Sequence, residues 1–488
     1  MNPNHLNAYE VLKEEDLQDI HSKGWLLRHK KTGARVMLIE NDDENKVFNI
    51  AFRTPPKDST GVAHILEHSV LCGSREFPLK DPFVELVKGS LNTFLNAMTY
   101  PDKTCYPVAS CNDRDFQNLM HVYLDAVFYP NIYKKEEIFR QEGWNYHLEN
   151  KEGPLKYNGV VYNEMKGAFS SPDDVLEREI MNSLFPDTTY GCESGGDPVN
   201  IPDLTYEDFL DFHRHYYHPS NSLIYLYGNM DIEEKLAFID EHYLSAFDAL
   251  AIDSQIKDQE SFVRVKDIRK NYPVAENEGE EDNTYLSYNM VVGQAKDINL
   301  SLAFEVLDYA LLSAPGAPLK QALLDAKIGK DIYGSFEDGI KQTYFSIVAK
   351  GANLSQKEEF VKVIRDTLTK IAEEGIDKKA VKAGINYYEF RFREADFSSY
   401  PKGLMYGLDI LSSWLYDDEK PFCEVQLLEG FEFLKKAAEE GYFEELIRKY
   451  LLDNTHGSIL SLVPERGLAA KRDQELEEKL ENYRNSLS

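Results

Sequence analysis

The first half of the chain alternates short apolar runs with segments whose apolar residues repeat at helical spacing. Runs at 34–39 and 47–52 are rich in β-branched residues and flank the turn-forming NDDEN, so they predict two strands. Ser59 or Thr60 is the expected cap of the helix that follows. The pattern predicts helices over 61–72, 82–87, 112–128, 134–148, 172–184, 205–217 and 231–246, with extended segments over 95–108 and 222–229.

The second half repeats this mixture after a break. Residues 253–282 are charged and poor in apolar side chains, so we interpret them as an acidic linker. Because strands and helices come in runs, without strict alternation, they predict α+β layers. We expect two similar domains, 1–252 and 283–465, each a mainly antiparallel sheet with helices packed on one face. In the second, strands are predicted over 285–293, 331–336, 342–349 and 457–463, and helices over 297–313, 317–327 and 355–396.

The last segment, 466–488, consists almost entirely of helix formers. Leu476, Leu480, Tyr483 and Leu487 are spaced four, three and four residues apart, which gives a predicted helix over 468–488 an apolar stripe. Such a stripe needs a surface to pack on, either its own domain or a further part of a longer helical connection.

Composition and charge narrow the choice of partners. The chain carries 54 Lys and Arg against 84 Asp and Glu, a net charge of −30, which repels nucleic acid and anionic lipid. No apolar run approaches the roughly 18 residues that span a bilayer. The five cysteines form no CxxC pair, and the first residues lack a secretory or transit pattern. We therefore expect a cytoplasmic protein that binds neither nucleic acid nor membranes.

One pentapeptide, HILEH at 64–68, carries candidate chemistry. On a helix, His64, Glu67 and His68 lie on one side, opposite the apolar residues. Two imidazoles at i and i+4 can bind one zinc ion, and Glu67 then lies beside the open position where a water would sit. This is the inverted HxxEH form of the zinc-peptidase helix, in which the carboxylate acts as general base.

A catalytic zinc needs a third protein ligand, and the scarcity of cysteine favours a carboxylate that spacing alone does not identify. His213, His215 and His218 form a rival cluster, but side chains at i and i+2 diverge on a helix. A purely structural zinc site would need four protein ligands and would leave no open position for water.

The motif and its surroundings closely resemble the pitrilysin and insulinase family of zinc peptidases, above all its presequence-protease branch. The resemblance rests on HILEHSVLCGS, LNAMTYPDKTCYPVAS (95–110), GVVYNEMKGAFSSPDD (159–174), SGGDP and LTYEDFLDFHRHYYHPSN. It implies that Glu164 of NEMKG is the third ligand of one zinc ion per chain. Tyr157 stands where the insulinase branch has a second glutamate, which fits the presequence-protease branch.

The same resemblance implies an architecture and a substrate. Family members of this branch consist of two halves that close like a clam shell and are joined by a helical hairpin, and this chain corresponds to the N-terminal half, with 466–488 beginning the connection. Peptides bind by strand addition at an edge strand, here Asn96, Ala97, Met98 and Thr99.

We therefore predict a zinc-dependent endopeptidase that degrades short unfolded peptides and whose partner is the missing C-terminal half. Alone, the chain should be weakly active or inactive and prone to self-association. The alternative is a non-catalytic scaffold or peptide-binding subunit of the same fold.

Overall fold

The computed structural model describes residues 6–80 and 82–487. The strands of the first part of the chain are β1 (Tyr9–Leu17), β2 (Ser22–His29), β3 (Arg35–Glu40), β4 (Lys46–Arg53), β5 (Asn92–Leu95), β6 (Met98–Thr99), β7 (Lys103–Ser110), β8 (Asn145–His147), β9 (Lys156–Asn158) and β10 (Ser222–Tyr227). The helices of this part are α1 (Val62–Val70), α2 (Pro82–Gly89), α3 (Asp113–Phe128), α4 (Glu136–Glu142), α5 (Val160–Ala168), α6 (Pro172–Leu184), α7 (Tyr206–Tyr216) and α8 (Ile232–His242).

The second part contributes five strands of another sheet and a longer set of helices. Its strands are β11 (Lys266–Val274), β12 (Thr284–Gln294), β13 (Asp331–Glu337), β14 (Gln342–Ala352) and β15 (Gly457–Arg466). Its helices are α9 (Ile298–Asp308), α10 (Pro318–Asp325), α11 (Lys357–Glu374), α12 (Lys378–Glu394), α13 (Lys402–Trp414), α14 (Leu428–Ala437), α15 (Tyr442–Leu446) and α16 (Leu468–Ser486).

Two mainly antiparallel sheets organise the chain, which confirms the predicted α+β fold. The first has the strand order β1-β2-β3-β10-β4-β7-β5, and β6 continues the β5 edge by pairing with β7. The second has the order β11-β15-β12-β14-β13. Each sheet contains a parallel pair, β3 with β10 and β11 with β15. Strands β3-β10-β4-β7-β5 follow one another in the same chain order as β11-β15-β12-β14-β13, so the two sheets repeat one topology, to which the first adds β1 and β2.

Helices cover both faces of each sheet, one face with helices of the same part of the chain and the other with a helix of the other part. One face of the first sheet packs on α1, α3, α7 and α8, and the second sheet packs in the same way on α9 to α12 and α14. The opposite face of the first sheet is covered by α13, from the second part of the chain. The opposite face of the second sheet is covered by α6, from the first part of the chain. The helices that each part packs on its own sheet thus lie on one face, as predicted, and the helix on the opposite face comes from the other part of the chain.

Close packing of α13 depends on two glycines. A Cβ atom at Gly403 would lie 2.0 Å from the ring of Tyr227, and one at Gly407 would lie 2.7 Å from the ring of Tyr225. Glycine therefore allows the helix to lie directly on the aromatic side chains of β10, and this contact fixes the two sheets against each other.

Some predicted boundaries are wrong. The predicted acidic linker, 253–282, contains β11, whose exposed charged residues and sheet-edge position hid the strand pattern. The helix predicted over 134–148 ends at Glu142, and the chain then forms β8. The segment predicted as extended over 95–108 is three strands with breaks. The domain limits 1–252 and 283–465 stay predictions.

The terminal helix α16 is docked on the first part of the chain. Leu480 is buried, and Tyr483 stacks on Tyr146 with ring centroids 4.7 Å apart. The apolar stripe of this helix is thus partly covered by its own chain, which is one of the two possibilities that the sequence left open. Among the helices of residues 6–80 and 82–487, none is long and apolar enough to cross a membrane.

Candidate metal centre

The helix α1 presents the two motif histidines side by side. Ile65, Leu66 and Val70 are fully buried in the core beneath the helix, which fixes its rotation about its own axis. His64 and His68, one turn apart, therefore emerge on the same side, with ring centroids 5.0 Å apart. The geometry predicted from the i, i+4 spacing is present.

Gly61, and not Ser59 or Thr60, caps this helix. Its φ of 71° lies in the left-handed region that favours glycine, and no side chain caps the helix. An added Cβ would also lie 2.7 Å from the Cα atom of Gly196. This close approach brings the carbonyl of Gly195 to 3.0 Å from Nδ1 of His64. Since a carbonyl only accepts, Nδ1 donates, and Nε2 of His64 is left free as a ligand atom.

Glu142, at the end of α4, orients the second histidine. Its carboxylate lies 3.4 Å from Nδ1 of His68, which turns Nε2 of that ring toward Glu164. The thiol of Cys72 donates to the other oxygen of Glu142 at 3.5 Å. Sequence reasoning missed this residue. A signal existed in Gly143, because glycine commonly follows the last residue of a helix, and an acidic side chain at that end is unfavourable for the helix dipole unless it has a specific partner.

Glu164, on α5, is the third residue of the candidate metal site. One of its carboxylate oxygens lies 3.8 Å from Nε2 of His64 and 3.7 Å from Nε2 of His68. A tetrahedral zinc with bonds of about 2.0–2.1 Å separates its ligand atoms by about 3.3 Å, so small side-chain adjustments suffice. Among the residues that the structure describes, these three form the single group of His, Cys, Asp or Glu whose ligand atoms converge, all within 4.8 Å.

Glu67 lies on the inner side of this group. It is 9% exposed, and its Oε2 accepts a hydrogen bond from the hydroxyl of Thr99 at 2.8 Å. Burial, with the nearby charge of Glu67, raises the pKa of Tyr123 well above its usual range. Tyr123 therefore stays neutral, and its hydroxyl donates to the carbonyl of Asn96.

The electrostatics of the site favour a cation. Burial alone would lower the pKa of His68, but the hydrogen bond to Glu142 and the charges of Glu67 and Glu164 raise it overall. Several carboxylates thus surround two imidazoles, and such a donor set suits a divalent metal ion with nitrogen and oxygen ligands.

The rival histidine cluster does not converge. Nε2 of His213 contacts the carbonyl of Val127 at 2.9 Å, and burial lowers the pKa of this histidine to about 4. His215 lies near the carbonyl of Asp253, and His218 accepts from the backbone of Ser220. Each ring is thus occupied by a separate local contact.

The predicted substrate strand lies at an open edge. Thr99 and Met98 form β6, which pairs with β7 on one side, while within the described residues no strand pairs with its outer side. Asn96 and Tyr100 donate their N–H groups inward to the carbonyls of Pro107 and Lys103. Alternation along the strand then turns the backbone groups of Ala97 and Thr99 outward.

Two protein-family models match this chain. Residues 52–190, which include α1 and Glu164, match the description "Insulinase (Peptidase family M16)", and residues 203–388 match "Peptidase M16 inactive domain". The chain belongs to the pitrilysin/insulinase family, M16. Within it, similarity over nearly the whole chain places it in the presequence-protease branch.

Individual relatives agree with the M16 assignment. The chain is 54% identical over 99% of its length to Protein HypA of Clostridium perfringens, covering 49% of that protein. It is 44% identical over 99% of its length to Presequence protease 1, chloroplastic/mitochondrial, of Arabidopsis thaliana, covering 45% of it. The chain thus spans about half the length of these M16 relatives. The crystal structure of pitrilysin shares the fold, with a TM-score of 0.64 at 16% identity, over 94% of this chain and 47% of that one.

Proposed function

We propose that this chain is the zinc-binding half of an M16 endopeptidase that cleaves short unfolded peptides. The observation that carries the proposal is the convergence of His64, His68 and Glu164. Glu67 lies beside this group, on the same helix as the two histidines. Three protein ligands leave one position of a tetrahedral zinc open, which is the arrangement of a catalytic site and not of a closed structural one.

The residues of this chain have separable tasks in the proposed reaction. When bound, zinc supplies a Lewis acid and lowers the pKa of a coordinated water toward about 7. His64 and His68, held by Gly195 and Glu142, orient their Nε2 atoms toward Glu164. The Glu67 carboxylate accepts a proton from the attacking water and passes it to the leaving amine.

Substrate recognition is proposed at the edge formed by Asn96, Ala97, Met98 and Thr99. An extended peptide that adds a strand there would pair with the outward backbone groups of Ala97 and Thr99. Such pairing recognises an extended backbone and depends little on the identity of the peptide's side chains. Broad specificity for unfolded peptides follows.

The missing partner is a second half of similar size. In support, the chain covers 49% and 45% of the two relatives named above. We propose that this half closes over the metal centre as a clam shell and supplies groups that hold the scissile carbonyl. Helix α16 would begin the connection, and the part of 253–282 that precedes β11 would join the two domains of this half. The cytoplasmic location stays a prediction.

A non-catalytic peptide-binding subunit is the competing function. In such a subunit the loss of a ligand or of Glu67 would be expected, and all four residues are present. The match of 203–388 to an inactive M16 domain concerns the second part of the chain, away from the motif.

The deciding experiment is hydrolysis of an unstructured quenched-fluorescent peptide by zinc-loaded protein completed with its second half, compared with the same enzyme carrying Glu67→Gln. We expect Glu67→Gln to retain zinc, because Glu67 is not a ligand, and to lose at least about 100-fold in turnover. Turnover that survives the substitution undiminished would contradict the role of Glu67.

Adding a second half as a separate polypeptide tests the proposal that this chain is half of an enzyme. We expect slow hydrolysis by the chain alone and faster hydrolysis when the part of the Clostridium perfringens relative that this chain does not cover is added as a separate polypeptide. Full activity of a monomeric chain without this addition would contradict the proposed architecture.

A further inference from the structure

A single hydrogen bond joins the edge strand to the candidate base. Thr99, in β6, donates its hydroxyl to Oε2 of Glu67 on α1 at 2.8 Å. Within the part of the chain that the structure describes, this is the one side-chain hydrogen bond that Glu67 makes at that distance. Glu67 is buried at its base but carries three rotatable bonds, so its carboxylate orientation depends on such a contact.

The backbone of the same threonine faces the opposite way. Met98 and Thr99 pair with Cys105 and Thr104 of β7, and the inward hydrogen bond of Tyr100 sets the alternation that turns the N–H and C=O groups of Thr99 to the open edge. One residue thus offers its side chain to the base and its backbone to whatever pairs with the strand.

The strand itself is held from both ends. Tyr123 of α3 donates to the carbonyl of Asn96 before β6. After β6, the carboxylate of the buried Asp102 accepts hydrogen bonds from the hydroxyls of Tyr190 and Tyr416. Because Tyr416 follows α13, the second part of the chain helps to fix the position of Thr99.

We propose that Thr99 is a positioning residue that orients the Glu67 carboxylate, so that the strand which pairs with substrate also aligns the base. The inference rests on the proposed function. Anchoring one carboxylate oxygen leaves the other free to accept a proton from water in a fixed direction. The β-branched side chain of Thr99 has few rotamers, which keeps this anchor in place.

Thr99→Val tests the proposal because it removes the hydroxyl and keeps the shape and the backbone. In zinc-loaded protein we expect kcat to fall about tenfold or more, with KM for the peptide within about twofold and zinc content unchanged. Thr99→Ser, which restores the hydroxyl, should recover most of the loss. Thr93→Val, on the neighbouring edge strand β5, removes a hydroxyl that bonds Asn45 and serves as the matched control.

A second measurement needs no activity. Thr99→Val should lower the melting temperature in the wild-type background and change it much less in the Glu67→Ala background, because the bond requires both partners. If the wild-type protein hydrolyses no peptide even after the second half is added, the proposed function fails, and the melting-temperature coupling alone then tests the contact between Thr99 and Glu67.

Three results would overturn the inference. Wild-type kcat in Thr99→Val would remove the need for the hydroxyl. A Thr99→Ser variant as slow as Thr99→Val would assign the loss to the strand and not to the hydrogen bond. Equal melting shifts in the wild-type and Glu67→Ala backgrounds would show that the two side chains are not coupled.

Discussion

The Glu142 carboxylate lies 3.4 Å from Nδ1 of His68, although 74 residues separate the two in sequence. Gly143, which ends α4, makes this approach possible, because its missing Cβ would stand 3.0 Å from the side chain of Ile65 on α1. The second imidazole of the motif is therefore oriented by a different helix. A carboxylate in this position fixes the tautomer of a ligand histidine and increases its basicity.

The first prediction concerns zinc affinity. Glu142→Ala should weaken zinc binding about 10- to 100-fold, because His68 loses the acceptor that holds its ring. Competition with a chromophoric chelator measures the change. Glu142→Gln retains an acceptor oxygen and should lose less.

Glu137→Ala is the matched control for this prediction. Glu137 lies on the same helix, is exposed, and should leave zinc affinity unchanged. An affinity for zinc that Glu142→Ala does not alter would show that His68 needs no such support.

The second prediction concerns the docking of α16. Leu480 is 4% exposed, Tyr483 stacks on Tyr146, and Arg484 donates to the carbonyl of Lys151 at 2.9 Å. Truncating a buried leucine costs about 2–5 kcal/mol, which exceeds what the few surface contacts of this helix can offset. Leu480→Ala should therefore release α16 and make it sensitive to limited proteolysis.

Leu487→Ala is the control, since Leu487 is 53% exposed. If release of α16 exposes the apolar stripe, self-association measured by analytical ultracentrifugation should increase in Leu480→Ala and not in Leu487→Ala. Equal proteolysis of both variants would contradict the docked position.

The third prediction concerns pH and a group of carboxylates in the second part of the chain. Burial, with the charge of Asp338, raises the pKa of Glu424 from 4.5 to about 9 and that of Glu305 to about 8. The folded state thus holds protons that the unfolded state has released at neutral pH. Stability should fall as pH rises from about 5 to about 9, because the unfolded state binds fewer protons over this range.

Glu424→Gln mimics the protonated side chain and should flatten this decline. Urea unfolding at pH 5, 7 and 9 measures it, with the exposed Glu429→Gln as the matched control. A Glu424→Gln variant whose stability declines with pH as steeply as that of the wild type would refute the role assigned to Glu424.

Local pattern was enough to predict the helix that carries the motif. Apolar residues at 62, 65, 66 and 70 and the polar set opposite them specify both the helix α1 and its orientation, so the convergence of His64 and His68 follows from spacing. Most strands of the two sheets were also predicted, since their apolar runs are bounded by turn residues. The edge position of residues 96–99 was implied only by resemblance.

Contacts between distant segments were not predictable from pattern. Glu164 was identified by resemblance, and its helix α5 was missed because glycines stand at 159 and 167. Glu142 and the carbonyl of Gly195 reach α1 only through tertiary packing. The placement of α13 on the first sheet depends on Gly403 and Gly407 meeting two tyrosines of β10, a relation that no local period encodes.

The central claim is that His64, His68 and Glu164 hold one zinc ion. Elemental analysis of purified, zinc-equilibrated protein after removal of free metal tests it most directly, with His68→Ala and Glu164→Ala as variants. His215→Ala, from the rival cluster, is the matched control. We predict about one zinc per chain in the wild type and in His215→Ala, and little zinc in the other two. Equal zinc in wild type and His68→Ala, or none in the wild type, would contradict the account.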